Sequence, residues 1–316
     1  MSAQQLGGTL EDLRYAADLA REGSHVRIEE PSLRAGAPFA TESFLTPFRF
    51  NLGQSLVRRP EVTGHELLEP DPLLALGEAT LGRAPVVLQP AGTAVETLDA
   101  SGILEPDRRA VLLALGLALG IDPTHEGSGA GLARLCAGLD ELVVVRGGNG
   151  MVAAAATDAL VAAGGQLVEG VAPPAVPPRP EGLGLCRLFV GLRVPRPAGR
   201  SFLDAHGFAD ERSLHAALGR LRGGNVDHPV GVVVDNAHLE PRGALDERLG
   251  SFVWQGVLPS DRTVDRAAYA ASVLELLGVA DRDAVFRLLW LPDETGEPVG
   301  AEPWARMDAT RDSTTS

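Results

Sequence analysis

Apolar residues at Leu10, Leu13, Ala16, Ala17 and Ala20 recur at helical spacing and stop at Gly23, which predicts an amphipathic helix over 10–22. Residues 25–30 then alternate as a short strand closed by Pro31. Helix, tight turn and strand in that order make half of a βαβ unit. Residues 31–53 hold Gly36, Pro38, Pro47 and Gly53 and read as irregular, with Phe39, Phe44, Phe48 and Phe50 as apolar anchors. Between about 72 and 140 the pattern is helical, in segments 93–101, 106–120 and 129–138 separated by Gly and Pro. The longest apolar run, 110–121, is shorter than the roughly 20 residues a membrane span needs, so it predicts a buried helix. A strand over 142–145 leads through Arg146-Gly147-Gly148-Asn149-Gly150 into an Ala-rich helix over 151–163. Gly164-Gly165 ends that helix before a strand over 166–169. Five prolines make 172–180 an extended connector. Beyond it, strands are predicted over 183–194, 230–235 and 251–258, with helices over 210–221 and 264–277. No internal repeat is present.

Composition removes whole classes of chemistry. The 316 residues carry a net charge of −14, and all 28 basic side chains are Arg. Without Lys there is no Schiff base with pyridoxal phosphate and no P-loop cation for a triphosphate. Acid–base work is left to His, Asp, Glu, Cys or the two tyrosines, Tyr15 and Tyr269. The acidic balance argues against a nucleic-acid backbone or an anionic membrane as partner, since both need clustered positive charge. Two cysteines, Cys136 and Cys186, make no disulfide framework, and MSAQQLGG lacks the apolar core of a signal peptide. A cytoplasmic protein without a transmembrane segment is expected.

The stretch GGTLEDLRYAADLAREGSHVRIEE, followed by RAGAPFATESFLTPFRFNLG, resembles the opening of the FAD-dependent amine oxidase and phytoene desaturase superfamily. VVVRGGNGMVAAAATDALVAAGGQLVEG is similar to its later segment of Gly-Gly, helix, Gly-Gly and strand, and AAYAASVLELLGVADRDAVFRLLWLP to a helix and strand of its substrate domain. The resemblance implies that, if FAD is bound, Gly7 and Gly8 lie at the pyrophosphate loop, Glu30 takes the ribose, and Arg34 and Gly36 form the second motif. It also exposes departures. Thr9 and Asp12 stand where the second and third fingerprint glycines belong, and Ala37 replaces a glycine of the second motif. A Cβ at Thr9 crowds a phosphate, and a carboxylate at Asp12 sits in the helical turn that should hold an anion. The strand before the loop, residues 2–6, is short and polar, the proline connector replaces a cofactor-side sheet, and MDATRDSTTS stands where the family closes on the flavin.

The fold expected is therefore α/β. A reduced FAD/NAD(P)-binding, Rossmann-like domain spans 1–60 and 141–180, a mixed-sheet and helical substrate domain spans 61–140 and 181–304, and 305–316 is a disordered tail. No cofactor is expected, FAD being the alternative. Without flavin there is no hydride transfer, so proton transfer, cyclisation by shape, or binding remains. The expected activity is isomerisation, epimerisation or cyclisation of a largely apolar substrate in bacterial specialised metabolism. The alternatives are a non-catalytic partner subunit of a biosynthetic complex and an FAD-dependent oxidoreductase. Candidate acid–base residues are His65 with Glu66 and His125 with Asp122, each pairing an imidazole with a nearby carboxylate. Arg146 and Asn149, at the head of a helix, are candidate substrate contacts. No His/Cys spacing suits a metal and no Gly-x-Ser-x-Gly elbow is present. Scarce aromatic residues disfavour an amine substrate and suit an aliphatic or polyene-like molecule or an apolar peptide. A protein partner or a homo-oligomer is also compatible with the sequence.

Overall fold

The computed structural model describes residues 10–30, 41–45, 48–51, 57–58, 64–65, 67–68, 87–138, 142–169, 182–194, 203–235, 249–260 and 263–292. In chain order the elements begin with α1 (Leu10–Arg21), β1 (Arg27–Glu30), β2 (Thr41–Leu45), β3 (Phe48–Asn51), β4 (Val57–Arg58) and β5 (Leu67–Leu68). There follow α2 (Ala94–Ala100), α3 (Pro106–Ala118), α4 (Ser128–Ala137), β6 (Leu142–Val145), α5 (Gly150–Ala162) and β7 (Gln166–Glu169). The last are β8 (Leu183–Leu192), β9 (Leu203–His206), α6 (Glu211–Arg222), β10 (Gly231–Asp235), β11 (Gly250–Pro259), α7 (Arg266–Leu276) and β12 (Ala284–Trp290). The fold is α/β, with parallel and antiparallel sheets. It divides into two compact units, the first taking the elements before Leu68 and those within Leu142–Pro177, the second the remaining elements.

In the first unit β1 and β7 pair in parallel, Arg27 opposite Gln166 and Glu30 opposite Glu169. Each strand is entered from a helix through a tight turn. Gly23 and Gly164 hold φ of +89° and +90°, a conformation a side chain resists, and so end α1 and α5 where the periodicity stops. Leu13, Ala16, Ala17 and Ala20 of α1 meet Val152, Ala153, Ala156 and Leu160 of α5 in one core with Val26, Ile28, Val143 and Val145. Small residues on both helices let them approach closely. β6 lies between β4 and β5, antiparallel to both. The expectation that residues 31–53 are irregular is corrected in part, because β2 and β3 form an antiparallel pair, Thr41 opposite Asn51 and Leu45 opposite Phe48. Phe48 and Phe50, two residues apart and both buried, supply the strand period.

The second unit is built on a five-stranded antiparallel sheet of order β12-β8-β11-β10-β9. β8 and β11 pair along ten residues, Leu183 opposite Pro259 through Leu192 opposite Gly250, and are buried throughout. Cys186, Leu188 and Val190 of β8, with Phe252, Trp254 and Leu258 of β11, pack against Tyr269, Ala270, Val273 and Leu274 of α7. Alternation puts Leu185, Arg187 and Phe189 on the opposite face. β9 was not expected from the sequence. α3 carries the 110–121 run, of which Leu112, Leu113, Leu115, Leu117 and Ile121 are at most 1% exposed, and it lies against β10 and β11. Arg109 of α3 joins three helices: its Nε donates to Glu211 of α6 at 2.6 Å and its Nη1 to Asp99 of α2 and the Ile103 carbonyl at 2.8 Å. No described helix is long and apolar enough to cross a membrane.

The α2–α4 contact depends on a missing side chain. A Cβ on Gly129 would lie 2.1 Å from the Ala91 carbonyl oxygen and 2.2 Å from Thr97 Oγ1. Backbone cannot yield cheaply, so Gly129→Ala should lower unfolding free energy by about 2–3 kcal/mol in a urea titration. An unchanged midpoint would show that these helices do not meet there.

Candidate functional site

Short connections in the first unit decide where its helix heads lie. α1 and α5 each turn straight into their strands, at 22–26 and 163–165, so each helix runs back along the strand that follows it. Both N-termini therefore stand at the edge where β1 and β7 end, which in doubly wound folds is the ligand-binding edge. Glu30 and Glu169 are the last residues of those strands and oppose each other in register. Asp12 lies in the first turn of α1 and is half-buried. Gly7, Gly8, Arg34, Gly36 and Glu66 fall outside the described residues.

The loop between β6 and α5 is folded onto itself. Gly147 and Gly148 take φ of +79° and +95°, and the Gly148 amide donates to the Val145 carbonyl at 2.9 Å. Asn149 is fully buried, and its amide donates to Asn51 Oδ1 of β3 at 3.0 Å. The next donors are also engaged, Met151 N–H to the Gly148 carbonyl and Val152 N–H to the Asn149 carbonyl. An anion at a helix head needs unspent amides, and here three have partners within the chain. Arg146 is half-buried beside this turn. Asn51 had no signal in the sequence, because an Asn in a segment read as irregular is ordinary.

His65 is half-buried in a turn of the first unit. The other acid–base pair lies in the second unit, and the structure does not bring its side chains together. Asp122, 5% exposed, accepts from the Thr124 amide at 2.9 Å and from Thr124 Oγ1 at 2.7 Å, and forms an ion pair with Arg222 of α6. His125 is exposed, with its Nδ1 2.6 Å from the Glu126 carbonyl oxygen. Asp122 thus ties the last turn of α6 to the loop after α3.

A polar cluster beneath α7 was missed. The Cys186 thiol donates to Tyr269 Oη at 3.6 Å, and Trp254 Nε1 donates to the same oxygen at 3.2 Å. Burial pushes the Cys186 thiol up to about 12 against the opposing pull of the Tyr269 hydrogen bond, and burial also drives the Tyr269 phenol well above its usual range. Cys136, buried in α4, is likewise pushed up to about 12 by desolvation. A protonated thiol is a poor nucleophile, so both cysteines belong to the core. Among the described residues no three His, Cys, Asp or Glu side chains are placed to hold a metal ion.

The sequence matches no protein-family model and no curated protein sequence. Solved structures do resemble it. Reduced UDP-galactopyranose mutase superposes with a TM-score of 0.53 at 10% identity, over 93% of this chain and 82% of that one. An oxidoreductase from Methanosarcina mazei gives 0.50 at 10% identity, over 94% and 89%. A Rab GDI from Plasmodium falciparum gives 0.51 at 11% identity, over 97% and 95%. The chain therefore has an FAD/Rossmann-like α/β fold. A mutase, an oxidoreductase and a Rab GDI share it, so the fold does not choose the chemistry.

Two outcomes follow from the second unit. Arg222→Ala leaves a buried carboxylate held by Thr124 alone, and should cost roughly 1–2 kcal/mol in urea unfolding because the arginine itself is partly exposed. His125→Ala should stay within about 0.5 kcal/mol of the wild type; the reverse order would make His125 the supporting residue. The thiols open the alkaline limb, and the buried Tyr269 phenol adds to it above pH 10.0. Their folded pKa lies above the ordinary value of 9.0, so above that pH the unfolded chain has released protons the folded chain still holds, and stability falls as pH rises towards 12. No lysine titrates in this window. Urea midpoints measured at pH 8 and above should decline, and the decline should flatten in Cys136→Ala/Cys186→Ala; an unchanged slope would contradict the assignment.

Proposed function

We propose that this chain is a degenerate relative of the FAD-dependent amine oxidase and phytoene desaturase superfamily that has given up its flavin, and that it binds a largely apolar small molecule or peptide as a non-catalytic partner in a biosynthetic complex. The observation that carries this reading is the edge of the first unit where α1 and α5 begin. Asp12 occupies the first turn of one helix, and three amides at the head of the other are engaged by Asn51 and by the turn itself. A pyrophosphate needs amides, helix heads or cations. The engaged amides and the carboxylate of Asp12 support a reading without that group.

Isomerisation, epimerisation or cyclisation by proton transfer requires an acid or base free to meet the ligand. Asp122 is committed to Thr124 and Arg222, and Cys186 and Tyr269 stay protonated at neutral pH, which favours binding over catalysis by these residues. One observation favours a second reading, an FAD-dependent oxidoreductase: Glu30 ends β1 beside the parallel β7, the position that the resemblance gives to the ribose-binding acid. Absorption spectroscopy of the purified protein, with mass spectrometry of what denaturation releases, separates the two. The expected result is no flavin band, with an apolar small molecule or a second protein accompanying the chain. Flavin bands in stoichiometric amount would overturn the proposal in favour of the second reading.

A further inference from the structure

We draw no further inference here: the strongest candidate, the outward face of α5 on which Met151, Ala154, Ala155, Val161 and Ala162 stand exposed around Asp158, is an unpartnered apolar helix face, and nothing in the structure shows what covers it.

Discussion

Parallel pairing of β1 with β7 is the constraint on which the first unit depends. Two parallel strands that are each entered directly from a helix must send both helices back along the sheet, so the two heads and the two strand ends share one edge. Close packing of Ala16, Ala17 and Ala20 on Ala153 and Ala156 then holds the helices side by side. In such an edge the peptide dipoles gather positive potential, and that potential is what a phosphate exploits. Here the chain spends it internally. Asn51 takes the Asn149 amide, successive turn bonds take the next donors, and Asp12 places a carboxylate in the first turn of α1. At the head of α5 the described donors are thus bonded within the chain.

A different rule governs the second unit. β8 and β11 are buried on both faces along ten paired residues, so every side chain they carry is specified by packing rather than by solvent. Beneath α7 the polar groups of this layer bond one another. Tyr269 accepts from both Cys186 and Trp254, and the cost of ionising inside that apolar layer keeps thiol and phenol neutral. α6 is fixed at both ends by charge, Glu211 to Arg109 near its start and Arg222 to Asp122 at its finish. These contacts explain why chemically suggestive residues of this unit serve its architecture.

Legibility in the sequence followed the range of the interactions. α1, α5, α7 and strands β1, β6, β7 and β11 lie within a few residues of where periodicity and glycine stops put them, since both signals are local. The β2–β3 pair was hidden because glycines and prolines around it outweighed the two-residue spacing of Phe48 and Phe50. β9, four residues long, has its place fixed by pairing with β10 and not by its own pattern. The candidate site failed at longer range. Asp122 and His125 are neighbours in sequence, yet the partner that claims Asp122 is Arg222, a hundred residues away. Asn51 and Asn149 meet only because β3 reaches the head of α5, and Cys186 finds Tyr269 only after β8 and α7 stack. No spacing rule encodes such contacts.

On the proposed reading, the helix-head edge no longer recognises an anionic dinucleotide. Direct calorimetric titration of the purified chain with FAD tests it without reference to any reaction. No saturable heat is expected up to millimolar FAD, a free energy no better than about −4 kcal/mol. Saturable one-to-one binding in the micromolar range, weakened by replacement of Glu30, would contradict it.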